Sequence, residues 1–280
     1  MSFLKLMYIT NNVDVALIAE KYGVDRIWVD LETLGKEERQ KNLDTVKSKH
    51  SIEDIKKISS KLTKSEMLVR VNPINPESKE EIDKVIEAGA SIVMLPMWKN
   101  SSDVKKFLDF VNHRAKTTLL LETKEAFENL DEVLEQGGFD EIHIGLNDLH
   151  LSYGLTFMFE LLSNGLVEKI CNKIKKYGIP YGFGGIAKLG EGILPAEKII
   201  LEHYRLGSTR AILSRSFCNV EKLSSINDVD NIFNENMKTQ REYEDKVTKM
   251  SQKELIKNKL AIDECVGKIV KQMEEKNGIK

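Results

Sequence analysis

Cysteine is scarce in this chain, with three in 280 residues. Cys171, Cys218 and Cys265 lie far apart with no C-x-x-C pair, which argues against a zinc–thiolate site. An odd, sparse set fits a reducing cytoplasm. No apolar run approaches the roughly 18 residues that span a bilayer. The start, MSFLKLMYIT, lacks the apolar length and the small-residue cleavage site of a secretory signal. No basic stripe is interleaved with aromatics, and the net charge is only −2 with a pI near 6.3, so a nucleic-acid partner is not expected. No G-x-G-x-x-G opens a helix after the first strand, which weakens a dinucleotide-binding sheet. No H-x-H or H-E-x-x-H occurs, which leaves a histidine-rich zinc site with little support. The expectation is a cytoplasmic protein with neither membrane nor nucleic acid as partner.

What the chain does have is alternation. Short apolar runs at Phe3–Ile9, Arg26–Leu31, Met67–Val71, Ser91–Leu95, Thr117–Leu121, Glu141–Gly145, Pro180–Gly184 and Thr209–Leu213 are each expected to be strands. Amphipathic segments lie between them. These include Val13–Tyr22, Ile52–Leu62, Ser78–Ala88, Val104–Val111, Ala126–Gln136, a long helix from about Phe157 to Tyr177, and Pro195–Leu206. The stretch from Glu32 to His50 is charged and irregular. Eight β–α units in one chain of this length favour an α/β fold of the (β/α)8, or TIM, barrel type over an open doubly wound sheet. Residues 1–233 are assigned to the barrel. Residues 234–280 are assigned to a C-terminal helical extension, with Val247, Met250, Leu255, Leu260, Ile262, Val266, Ile269 and Met273 at helical spacing. That extension either packs on its own barrel or docks on a neighbouring subunit.

In such barrels the active site lies at the C-terminal ends of the strands. Charged groups there adjoin buried apolar runs, where they are costly unless paired or metal-bound. Asp30 and Glu32 end strand two, Arg70 and Asn72 strand three, and Glu122 strand five; Asn147, Asp148 and His150 follow strand six. Glu122 and Asp148, from neighbouring strands, are candidate ligands of a divalent Mg2+ or Mn2+ ion, which take hard oxygen ligands. Their alternatives are a strand-end salt bridge and a helix N-cap. Arg70 is placed to clamp a carboxylate in two-pronged fashion or to pair with Asp30 or Glu32. His143 is expected in the core, His113 and His203 on solvated helix faces, His150 in a loop-capping role, and His50 within reach of the barrel mouth.

Three stretches resemble the HpcH/HpaI aldolase and citrate lyase β-subunit family: GVDRIWVDLE at 23–32, Leu68–Met97 with VRVNP and EAGASIVMLPM, and Leu119–Gly154 with LLLET and IGLNDLHLSYG. The resemblance covers roughly residues 1–216. It implies that Glu122 and Asp148 hold a divalent metal. It further implies that Arg70 grips the carboxylate of a 2-oxo acid, and that amides near Asn147 help to hold it. The implied reaction is carbon–carbon bond making or breaking through the enolate of pyruvate or a related 2-oxo acid, with an aldehyde as partner and the cation as Lewis acid. It also implies a homo-oligomer.

The sequence departs from the aldolase pattern at Thr33, where that branch carries its acid–base histidine. A threonine hydroxyl is a poor general base at neutral pH. Glu32, Glu87 (in Glu-Ala-Gly) and Arg70 are the remaining candidates for catalytic roles, with His50 as a distant substitute for the missing imidazole. Two other functions compete: a citrate lyase β-like enzyme acting on an acyl-CoA thioester, and a catalytically altered barrel that binds a metal and a 2-oxo acid without turnover.

Overall fold

The computed structural model describes residues 2–35 and 50–276. Eight strands, β1 (Lys5–Ile9), β2 (Arg26–Asp30), β3 (Glu66–Arg70), β4 (Ile92–Leu95), β5 (Lys116–Leu121), β6 (Glu141–Ile144), β7 (Tyr181–Ile186) and β8 (Arg210–Leu213), follow one another in a closed barrel in chain order. The expected (β/α)8 barrel is therefore the fold. The strands are short, mostly apolar and buried on both faces, as parallel strands covered by helices must be. Most of the charged stretch between Glu32 and His50 lies outside the described residues. By packing, the described residues fall into two compact units, 6–143 and 144–276 together with the N-terminal residues through Lys5.

In the first unit, α1 (Val13–Lys21), α2 (Ile52–Ser59), α3 (Ser78–Glu87), α4 (Ser101–Val111), α5 (Lys124–Glu128) and α6 (Leu130–Gln136) alternate with the strands. Asn12, Ser51, Asn100 and Thr123 each accept backbone N–H groups at helix N-termini, which satisfies donors that would otherwise lack partners. The register pairs Asp30 with Arg70 across β2 and β3. At the opposite end of these strands, Glu20 of α1 accepts the backbone N–H groups of Thr63 (2.8 Å), Lys64 (2.6 Å) and Ser65 (2.8 Å). One carboxylate thus ties α1 to the turn that feeds β3.

The second unit departs from expectation in the helices. After α7 (Leu146–Ser152), residues 157–177 hold not one helix but two, α8 (Glu160–Ser163) and α9 (Leu166–Lys175). The break between the last two falls at Gly165, whose φ of +79° is left-handed and cannot continue a right-handed helix. Gly182 and Gly184 shape an irregularity in the pairing of β7 with β8. A Cβ at Gly182 would lie 2.4 Å from the Arg210 carbonyl oxygen, so no other residue fits. His203, expected on a solvated face, is fully buried on α10 (Ala196–Leu206). Its ring stacks on Phe183 with centroids 3.9 Å apart, and Nδ1 meets the Ser208 hydroxyl at 2.7 Å. His203 follows Ile199 by four residues, which places it on the buried face. His113 is exposed but lies in a turn rather than on a helix, at a φ of +57°.

The C-terminal extension is two helices, α11 (Ile226–Thr248) and α12 (Gln252–Lys276). The expected boundary at 233 falls inside α11. That helix begins at 226 because Ser225 and Asp228 form a reciprocal capping box. Its buried Glu244 accepts from the Leu4 backbone N–H and the Tyr204 hydroxyl, both at 2.8 Å. The second helix buries Leu255, Asn258, Ile262 and Val266. Asn258 donates to the Lys198 carbonyl of α10 at 2.9 Å, and Lys259 to the Ser163 carbonyl of α8 at 2.9 Å, so α12 packs on helices of its own chain. No helix among the described residues is long and apolar enough to cross a membrane.

Burial acts to raise the pKa of Glu20, but the N–H donors of Ser65, Lys64 and Thr63 outweigh it and hold the carboxyl below its ordinary value. A carboxyl lowered on folding stabilises the fold above its unfolded pKa of about 4.3, and that contribution is lost as pH falls through the lower folded value. Replacing Glu20 by Gln is expected to destabilise the chain by about 1–3 kcal/mol at pH 7 and by progressively less below pH 4. Denaturant midpoints of the two proteins across pH check this, and a constant difference would refute it.

Candidate active site

The C-terminal ends of β2, β3 and β5, all in the unit of residues 6–143, bring four charged side chains together. Asp30 takes Arg70 two-pronged, with Nε to Oδ1 and Nη2 to Oδ2 both at 2.8 Å. Glu32 meets Nη1 of the same guanidinium at 3.1 Å. Glu122 adds to the field that holds Arg70 charged. The three carboxylates are buried, with Glu122 only 2% exposed. Burial works against the Arg70 charge, but the attraction of Asp30, Glu32 and Glu122 exceeds it and the guanidinium pKa is raised. As a set, the four groups carry a charge of −2 when ionised.

The ion pair expected as one alternative for Arg70 is therefore present, and it involves both acids. It does not exhaust the guanidinium. Of the five N–H bonds an arginine carries, the contacts to Asp30 and Glu32 use three. Two N–H groups, one on each terminal nitrogen, remain for an incoming oxygen. The plane of the fork is already set by Asp30 and by the Trp28 ring beneath it, 5.4 Å from Cζ.

Glu122 is held from the neighbouring strand end. The Met97 backbone N–H donates to its Oε1 at 3.1 Å. Met97 sits at a φ of +52°, a left-handed conformation uncommon for a residue with a side chain, just past the end of β4. Such strain persists where surrounding structure imposes it, and here it aims an amide at the buried carboxylate. Among the described residues no three His, Cys, Asp or Glu side chains converge as a metal cage. A metal here would depend on fewer protein ligands, completed by water and substrate oxygens. The oxygen donors present suit Mg2+ or Mn2+ in that mode.

Thr33 and Leu34 are fixed by Asn72, whose Oδ1 accepts both backbone N–H groups at 2.9 and 3.0 Å. Asn72 in turn donates from Nδ2 to Glu81 at 2.8 Å. Burial raises the Glu81 carboxyl pKa in spite of that bond. Sequence reasoning missed Glu81; its place in the first turn of the helix after strand three was the available signal. Glu87 is not brought to this cluster. It is exposed in the last turn of α3, the end that leads into the start of β4, because a helix in a β–α unit runs back against its strand. His50 reaches the end of β2, where its Nδ1 accepts the Asp30 backbone N–H at 2.9 Å. An imidazole that accepts at Nδ1 keeps its neutral-state proton on Nε2. This pose makes His50 a donor at Nε2 and ties up the Nδ1 lone pair that a base would use.

In the other unit, Asn147 and Asp148 lie in the first turn of α7, with Asp148 buried and Asn147 half-buried. His150 is on the same helix rather than in a loop, its Nδ1 3.2 Å from the Leu146 carbonyl. His143 is buried within β6.

Two solved structures of HpcH/HpaI proteins share the fold. The HpcH/HpaI aldolase from Desulfitobacterium hafniense DCB-2 is 15% identical, with a TM-score of 0.60 over 80% of this chain and 95% of that one. The HpcH/HpaI aldolase/citrate lyase family protein from Burkholderia cenocepacia J2315 is 13% identical, with a TM-score of 0.55 over 76% and 88%. A citrate lyase from Burkholderia xenovorans LB400 is 12% identical, with a TM-score of 0.57 over 83% and 78%. No curated protein sequence matches the chain. The profile of the HpcH/HpaI aldolase/citrate lyase family matches residues 5–161, more than half of the chain and all of the Asp30–Arg70–Glu122 cluster: the chain belongs to the HpcH/HpaI aldolase/citrate lyase family.

Proposed function

We propose that this protein is a divalent-metal-dependent carbon–carbon lyase that acts through the enolate of pyruvate or a related 2-oxo acid, with an aldehyde as the second substrate. Membership of an aldolase and citrate lyase family supports the lyase class. The observation that carries the finer reading is the convergence of buried Asp30, Glu32 and Glu122 on Arg70 at the strand ends. A set of charge −2 repels a lone substrate anion and attracts a divalent cation. Glu122 is one ligand in this reading. Asp148, from the Gly-Leu-Asn-Asp-Leu sequence, is the other. Mg2+ or Mn2+, when bound, would stabilise negative charge developing on the 2-oxo oxygen.

The chain's own groups do the rest. Arg70 presents its two remaining N–H bonds to the substrate carboxylate from a plane that Asp30 holds fixed, so orientation is set before binding. Amides near Asn147 add to that hold. Proton movement falls to Glu32, a buried carboxylate in contact with the same guanidinium, since Thr33 offers only a hydroxyl already directed at Asn72 (3.3 Å). The protein is a cytoplasmic homo-oligomer in this reading; exposed Ile256 and Leu260 on α12 offer an apolar edge to a second copy.

The direct assay is exchange of pyruvate methyl protons with solvent deuterium, followed by NMR with Mn2+ or Mg2+ present. Exchange is expected, and Glu122→Ala is expected to reduce it at least about 100-fold, the scale of losing a principal electrostatic group. No exchange from the intact chain, with no change in Glu122→Ala, overturns the lyase reading in favour of a binder without turnover. Dependence on an acyl-CoA thioester instead would select the citrate lyase-like alternative. Arg70→Lys, which keeps the charge but loses the planar fork, is expected to raise the half-saturating pyruvate concentration about tenfold or more, equivalent to about 1.4 kcal/mol or more. An unchanged value removes Arg70 from substrate binding. Sedimentation should give a mass that is a multiple of 31.9 kDa, and a monomer would refute the oligomer.

A further inference from the structure

Beneath the charged cluster lies a hydrogen-bond donor that none of these roles uses. Arg26, Trp28 and Asp30 alternate along β2. Arg26 reaches Glu141 on β6, and Asp30 reaches Arg70 on β3, so both point into the barrel. The two-residue period of a strand puts Trp28 on the same interior face, one layer below Asp30. The Arg70 guanidinium lies over its ring at 5.4 Å. The indole is thus the floor of the site.

Trp28 is only 2% exposed, and its Nε1–H has no hydrogen-bond acceptor among the described residues. A buried tryptophan N–H ordinarily finds a partner, and leaving one unmet costs about 1–3 kcal/mol. An apolar ring of similar size would carry no such penalty here. Burial and the contact under Arg70 call for an apolar ring, and neither uses the N–H. The ring that carries this donor lies beneath the Arg70 guanidinium, which has two N–H groups of its own unspent.

We propose that Trp28 Nε1–H recognises substrate: it donates a hydrogen bond to an oxygen of the small organic acid bound at Arg70. The proposal rests on the 2-oxo-acid reading above and adds a residue to it. A buried donor of this kind selects for acids with an oxygen at the matching position and rejects analogues that place a methyl group there, whose binding would leave the N–H unmet.

The chain has two tryptophans, so a protein labelled with 15N at the indole shows two side-chain N–H resonances. Trp98→Phe assigns them without altering Trp28. The probe is oxalate, a non-reacting diacid with adjacent carboxyl oxygens, added with Mg2+. The Trp28 resonance is expected to shift as oxalate saturates, and Trp28→Phe is expected to bind oxalate about tenfold more weakly while its affinity for Mg2+ alone stays within about twofold. If calorimetry shows oxalate binding to the intact chain while the Trp28 resonance stays in place, the donor serves a resident water and the proposal is overturned with the 2-oxo-acid reading intact. Wild-type oxalate affinity in Trp28→Phe overturns it in the same way. If the intact chain binds no oxalate in the presence of Mg2+, the proposal falls together with the reading it rests on.

Discussion

The pairing of Asp30 with Arg70 joins two strands at residues that are already register partners. Almost every other feature of the candidate site is arranged around it. The pair fixes the guanidinium plane, Glu32 adds a second acid to its far nitrogen, Glu122 adds a third at longer range, and Trp28 supports it from below. Both charges are buried, so neither is tolerable without the other; removing one partner of such a pair is typically worth about 3–5 kcal/mol. A geometry defended by that much energy is a rigid one. Rigidity is what a substrate clamp requires, because an arginine free to rotate would lose the orientation it is meant to impose.

The same strand carries a second arginine, and the contrast is informative. Arg26 is enclosed by Glu141, with Glu66 at 3.0 Å, and the Thr118 hydroxyl donates to Glu141 at 2.8 Å. Burial opposes its charge, yet the acids raise its pKa. Lys116 contacts Glu66 as well, so two cations face two anions at this end of the barrel interior. That set is closed, and it joins strands β2, β3, β5 and β6 without calling for a ligand. At the other end of β2 three anions face one cation. Between the two lies Trp28. Structure and function therefore use the same kind of buried ion pair four residues apart along β2, distinguished by whether the charges balance.

Several departures from the sequence-based expectations have a common origin. Gly165 ends a helix that apolar periodicity alone would carry through, because a left-handed glycine does not interrupt the spacing of apolar side chains around it. His203 is a core residue because its neighbours one turn away are, and a polar side chain obscured that spacing. Glu87 matches a sequence pattern, yet it sits at the end of α3 away from Arg70, whereas Glu81 of the same helix reaches Asn72. His50 lies beside Asp30, where a replacement imidazole would be, but with the Nδ1 lone pair already committed.

The strand order, the barrel and the positions of Asp30, Glu32, Arg70 and Glu122 at strand ends were all legible in the amino-acid sequence. They follow from local apolar runs, from helix and turn signals a few residues long, and from the rule that strand ends form the mouth. What the tertiary structure decided was partnership. Asp30 and Arg70 are 40 residues apart in the chain, and only the register of β2 on β3 makes the acid two-pronged to the guanidinium and leaves two N–H bonds over. The unmet indole N–H of Trp28 belongs to the same category. A sequence shows that a donor exists, but whether a buried donor has an acceptor depends on every side chain that folding brings around it.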